Sequence, residues 1–174
     1  MGVRGFAKYL TSCNVPCYVK ETLVAGTLLV VDGSAWMYQL IEKITSNIYK
    51  GDAYRDLDAL IRSEVQYWTV ERSVELVIYF DGPISRFKAH TAMKRREQRE
   101  QAWNNLYSFI TDGVVYDNDE YPLPPLCFEQ LLATVDECDV RMITVSGEAD
   151  AEIATAANEA IALGRVAYCV SEDR

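Results

Sequence analysis

The chain has 174 residues, 49% of them hydrophobic, enough to bury one core, and a single domain is the natural expectation. A net charge of −9 argues against generic binding of nucleic acid, since non-specific affinity comes mostly from neutralising phosphates. No apolar run approaches the ~18 residues needed to span a bilayer, and the N-terminal stretch lacks the order of a secretory signal.

Met1 to Ser12 can form a short helix with Phe6 and Leu10 on one face. Thr27 to Val31 is a continuous apolar run, the pattern of a strand buried on both sides. After Asp32-Gly33-Ser34 the spacing predicts a helix over Ala35 to Ile48, with Ser34 as a possible N-cap. Tyr54 to Thr69 carries Leu57, Leu60, Ile61, Val65 and Trp68 at helical spacing. Val74 to Phe80 is strand-like, and Asp81-Gly82-Pro83 breaks it.

Phe87 to Ile110 reads as one long helix, basic first and then aromatic. Asp112 to Pro125 is a polar loop punctuated by proline, and Leu126 to Val135 a helix. Val140 to Val145 is a strand, Ala149 to Leu163 an Ala-rich helix stopped by Gly164, and Arg165 to Val170 a last strand. Strands alternating with helices predict an α/β fold, a mainly parallel central sheet with helices on both faces. In such folds ligands gather beyond the carboxyl ends of strands.

Charge is unevenly spread. Arg86, Lys88, Lys94, Arg95, Arg96 and Arg99 stand against one acid, Glu97, between Ser85 and Arg99, whereas Asp112 to Asp139 holds eight acids and no Lys or Arg. The five cysteines fall in no zinc pattern, and their odd count suits reduced intracellular thiols. His90, the single histidine, sits in the basic segment as a solvated helix residue rather than a catalyst. With one histidine, most His-dependent chemistry is removed.

Asp32, Asp81, Glu148, Asp150 and Asp173 all fall at strand ends or at a helix mouth. Taken singly, each has a local explanation: Asp32 and Asp81 as turn residues before glycine, Glu148 as a carboxylate favoured by a helix dipole. Taken together they suggest one acidic pocket able to hold one or two Mg²⁺ or Mn²⁺ ions, which take oxygen ligands. Lys88, Arg95 and Arg99 recur at spacings of seven and four, roughly one helix face, suited either to gripping a phosphodiester or to plain solvation. Tyr38 can stack on a base or serve as a core tyrosine beside Trp36 and Leu40.

Several motifs match a known family in order. Met1-Gly2-Val3-Arg4-Gly5-Phe6, Val30-Val31-Asp32-Gly33-Ser34, Tyr79-Phe80-Asp81-Gly82 and Gly147-Glu148-Ala149-Asp150-Ala151-Glu152 resemble the flap endonuclease/XPG superfamily of structure-specific 5′ nucleases. Leu123-Pro124-Pro125-Leu126-Cys127-Phe128-Glu129 is similar to its Asteroid branch. The resemblance implies a PIN-like 5′-nuclease fold over 1–174, divided into an N-terminal XPG-type region (1–111), a reduced arch loop (112–125) and the start of an internal XPG-type region (126–174). The chain then resembles the first part of a nuclease domain, because later motifs of the family lie beyond Arg174.

Carried over by motif, the resemblance gives metal-site roles to Asp32, Asp81, Glu148, Asp150 (Asp where the family has Glu) and Asp173. It gives catalytic roles at the scissile phosphate to Lys88 and Arg95. It implies nucleic-acid contacts from Gly2, Tyr38, Lys88 and Arg95, and the basic segment itself adds Arg86, Lys94 and Arg99 as candidate phosphate contacts. The implied cofactor is Mg²⁺, as two ions, with Mn²⁺ able to substitute. The implied activity is hydrolysis of single-stranded or flap and branched DNA, with RNA an open possibility, by an intracellular, nuclear DNA-repair protein. The alternative is a catalytically inactive nucleic-acid-binding or scaffold protein on the same fold.

Overall fold

The computed structural model describes residues 23–44, 54–84, 88–112 and 122–171. The expected N-terminal helix at Met1 to Ser12 and most of the Asp112 to Pro125 loop lie outside these residues. Four parallel strands form one sheet in the order β3-β2-β1-β4. In chain order these are β1 (Leu28–Asp32), β2 (Glu75–Phe80), β3 (Arg141–Thr144) and β4 (Ala167–Val170). Five α-helices accompany them among the described residues: α1 (Gly33–Lys43), α2 (Tyr54–Gln66), α3 (Ala89–Asp112), α4 (Cys127–Glu137) and α5 (Ala149–Ala162).

Strand geometry turns the apolar run of β1 into two cores. Successive side chains point to opposite faces, so Leu29 and Val31 join Leu76, Ile78 and Phe80 of β2 on one side. There they meet Trp36, Met37 and Leu40 of α1, Leu57, Ile61 and Val65 of α2, and Leu131 and Val135 of α4. On the other side Leu28, Val30 and Val77 pack with Val145 and with Ala149, Ile153 and Ala160 of α5. Val30 and Val31 are both 0% exposed, which accounts for a strand with no polar alternation before Asp32. The parallel sheet with helices on both faces is as the sequence pattern predicts.

The helix expected over Ala35 to Ile48 ends at Lys43, where Ile44 turns to extended backbone, and two further boundaries differ for local reasons. Helix α1 is capped by Asp32 rather than Ser34, because Asp32 Oδ1 accepts the Ser34 N–H at 2.9 Å and the Ala35 N–H at 3.2 Å. A carboxylate so placed satisfies two of the orphan donors at a helix start. The second helix ends at Gln66 and widens into a π-helical turn over Tyr67–Glu71. That turn carries Trp68 against Trp36, with ring centroids 5.5 Å apart.

Helix α3 differs from the others. Its 24 residues extend roughly 36 Å at the α-helical rise. Leu106 is buried, yet the first half is exposed along most of its length, and α3 has no extended packing against another described element.

Candidate functional site

The site grows out of the carboxyl edge of the sheet. The parallel register sets Asp32 beside Tyr79, so β1 and β2 end together and Asp81 follows one residue beyond Phe80. Strand β3 ends level with them, since Thr144 pairs with Phe80. The pairing continues past the strands: Val145 N–H donates to Phe80 O at 3.0 Å, and Gly82 N–H donates to Gly147 O at 2.7 Å. The Asp81-Gly82 turn is thereby strapped to the segment that delivers Glu148.

Glycine is required at both turns. A Cβ on Gly82 would stand 1.9 Å from the Val145 carbonyl oxygen, and one on Gly33 would stand 2.3 Å from the Phe80 ring. The glycines after Asp32 and Asp81 therefore let the chain pass close enough to bring the acids to one edge.

Asp81 has a second structural task. Its Oδ1 accepts the Ala149 N–H at 2.8 Å, capping α5 across 68 residues of sequence. Glu148, the residue at the N-cap position of α5, makes no side-chain cap bond of its own. Its carboxylate instead forms an ion pair with Lys88 Nζ, just before α3. Asp150 falls in the first turn of α5, where the helix dipole favours an acid.

A cavity of about 470 Å³ opens at this edge. One wall holds Asp32, Asp81, Glu148 and Asp150; the other holds Lys88, Arg95 and Arg99 around α3; Tyr38 of α1 also lines it. Eight residues singled out from the sequence thus share one space. Lys94 is not among the lining residues and is exposed: one helical step from Arg95 turns it about 100° away from that face. Gly2, Arg86 and Asp173 lie outside the described residues.

Ser34, Thr91 and Ser171 also line the cavity and were not singled out by sequence reasoning. A signal for Thr91 existed: it lies three after Lys88 and four before Arg95, on the same helical stripe. Ser34 and Ser171 each sit within two residues of an acid that was singled out, Asp32 and Asp173.

Like charge is felt in the pocket. Burial, the largest cause, pushes the half-buried Asp32 carboxyl above its ordinary value, and the charges of Asp81 and Asp150 add to the rise. The two backbone bonds to Ser34 and Ala35 oppose it. Four carboxylates with no nitrogen or sulfur donor among them are the donor set of a hard divalent cation. Both cap bonds of Asp32 fall on Oδ1, and Asp81 likewise uses Oδ1, so neither carboxylate is consumed by its structural role. Among the described residues, however, no three acids, histidines or cysteines converge closely enough to hold an ion at once. The donor chemistry fits a divalent cation.

Comparisons with known proteins bear on the fold and the family. The catalytic core of Rad2 in complex with DNA substrate superposes with a TM-score of 0.57 at 18% identity, covering 99% of this chain and 45% of that one. A second such Rad2 complex gives a TM-score of 0.55. The fold is therefore the α/β, PIN-like architecture of those cores. Flap endonuclease 1 of Cryptosporidium muris is 25% identical over 123 residues, 65% of this chain and 25% of that protein. Flap endonuclease 1 of Phaeodactylum tricornutum is 26% identical over 132 residues, 69% of this chain and 31% of that protein. The chain spans about a quarter to a third of the length of these relatives. The XPG N-terminal domain matches residues 1–102, and the chain belongs to the flap endonuclease/XPG superfamily.

Proposed function

We propose that this chain carries the acidic and phosphate-gripping parts of a divalent-metal-dependent, structure-specific nuclease that hydrolyses phosphodiester bonds in single-stranded or flap and branched DNA. The observation that carries this reading is the single cavity with four carboxylates on one wall and Lys88, Arg95 and Arg99 on the other. An acidic wall alone would repel a phosphodiester and a basic wall alone would only bind one; facing each other, they can bracket a phosphate.

Asp32, Asp81, Glu148 and Asp150, with Asp173 as a further candidate, would hold two Mg²⁺, for which Mn²⁺ can substitute. Such ions, when bound, polarise a phosphate oxygen and acidify water. The chain's own residues supply the rest. Lys88 and Arg95 stabilise negative charge developing on the phosphate, the kind of interaction whose removal costs about 10²–10³ in rate. Arg99 and Tyr38 hold the neighbouring strand, by charge and by stacking on a base. Gly2, Arg86 and Lys94 are proposed as additional DNA contacts. The similarity to Rad2 cores bound to DNA substrate favours DNA over RNA as ligand. A DNA-repair role in the nucleus accords with that substrate class, and the Leu123–Glu129 run favours an Asteroid-like member.

Cleavage of a 5′-labelled flap substrate with Mg²⁺ tests the reading. Asp81→Ala should lower the rate about 100-fold or more. A variant that cuts as fast as the unaltered protein would refute the assignment.

The second reading is a nucleic-acid-binding protein without catalysis. The ion pair that holds Glu148 on Lys88 favours it. Flap binding with no cleavage in either Mg²⁺ or Mn²⁺ would decide for it.

A further inference from the structure

We propose that Lys88 is a tethered cation occupying Glu148 in place of the divalent ion, so that metal binding and phosphate capture by Lys88 are coupled. The inference rests on the metal-site reading above and goes beyond it: it concerns how the two walls communicate.

Lys88 and Glu148 come from opposite walls. Glu148 is anchored through α5, the Asp81 cap and the Gly82–Gly147 strap, all fixed to the sheet edge. Lys88 stands at the start of α3, which has no extended packing on the rest of the described fold. The ion pair between them ties the loosely held wall to the rigid one, and both partners are only partly exposed, at 34% and 43% of their side chains.

The single charge of the Lys88 ammonium, when shared with Glu148, attracts a phosphate oxygen less strongly than when it is free. A divalent ion bound through Glu148 competes with Lys88 for that carboxylate, and the two cations repel each other. Displaced, Lys88 becomes available to a phosphate. A phosphate that holds Lys88 removes the competitor from Glu148 in turn. Coupling of this kind is reciprocal: the phosphate must tighten the metal by the same factor as the metal tightens the phosphate.

The test needs no DNA and no turnover. Mn²⁺ affinity is measured by calorimetry for the unaltered protein, for Lys88→Gln and for Arg95→Gln. Arg95→Gln removes the same charge from the same cavity but leaves the Lys88–Glu148 pair intact. Lys88→Gln should bind Mn²⁺ about two- to fivefold more tightly than Arg95→Gln, the scale of a partly exposed ion pair. Equal affinities, or weaker binding by Lys88→Gln, overturn the proposal while leaving the metal site standing. If the unaltered protein takes up no Mn²⁺, the metal reading itself falls, and the coupling with it.

A second readout uses the unaltered protein. Acylation of the Lys88 amine by an N-hydroxysuccinimide ester, followed by mass spectrometry, should rise when Mn²⁺ is added. Labelling that stays constant or falls refutes release of Lys88.

Discussion

The two walls of the cavity are built in opposite ways. The acidic wall is an outgrowth of the core: Asp32 and Asp81 extend the two central strands, and Asp81 caps the helix that presents Glu148 and Asp150. The basic wall belongs to a long helix that rests on little else among the described residues. Acids that repel one another must be held by something stronger than their repulsion, and sheet hydrogen bonds, glycine-tight turns and two hydrophobic cores supply it. Under the proposed function, cations closing on a flexible polyanion would gain by retaining freedom of movement. Precision is therefore invested in the acids and adaptability in the cations.

That contrast breaks first if the core under the acidic wall is weakened. Leu57→Ala removes a fully buried side chain from the α2 layer and should cost about 2–5 kcal/mol. Met93→Ala, on the exposed face of α3, should stay within about 0.5 kcal/mol. Urea unfolding of both variants checks the difference. Equal losses would show that α3 is packed as tightly as the core.

Gly82→Ala sharpens the comparison at the turn itself. The added Cβ collides with the Val145 carbonyl, and relief by backbone movement should cost about 1–3 kcal/mol. Because the same movement loosens the Gly147 strap, Mn²⁺ affinity should drop along with the thermal midpoint. A stable variant with unchanged metal affinity would mean the strap does not set the position of Glu148.

The smallest effect lies away from the cavity, where α2 meets α4. Arg62, first, and then Thr134 hold the Asp58 carboxyl below its ordinary value, with Gln130 adding a further bond. A depressed folded value contributes stability above the unfolded carboxylate range, and that stability is lost as pH falls through the lower folded value. Asp58 is partly exposed and its partner Arg62 more so, so solvent screening keeps the contribution under about 1 kcal/mol. Asp58→Asn should flatten the acid limb of a stability–pH curve by that much. An unchanged curve would assign the acid sensitivity to other carboxyls.

Several features were legible because their signals are local. The β1 run without polar alternation gave a strand buried on both faces; Asp32-Gly33 and Asp81-Gly82 marked strand ends; the stripe Lys88, Arg95, Arg99 marked a helix face. Local reading failed where two local signals competed. Ser34 is a good N-cap residue, but Asp32 is also one, and its carboxylate reaches both free N–H groups from the strand end. Lys94, in the same basic run but off the Lys88, Arg95, Arg99 stripe, does not line the cavity.

By itself the sequence determined the strand and helix periods, the acids at the ends of strands, the cation stripe and the membership of the superfamily that their order implies. Whether those acids meet depended on strand order, and β3-β2-β1-β4 is not the order of the chain. Adjacency of parallel strands is set by how helices cover two faces of one sheet, a long-range packing outcome that no local spacing encodes. The Asp81 cap on α5 and the Lys88–Glu148 pair follow from the same cause. Each joins residues some 60 or more positions apart, brought together by the packing that buries both faces of β1.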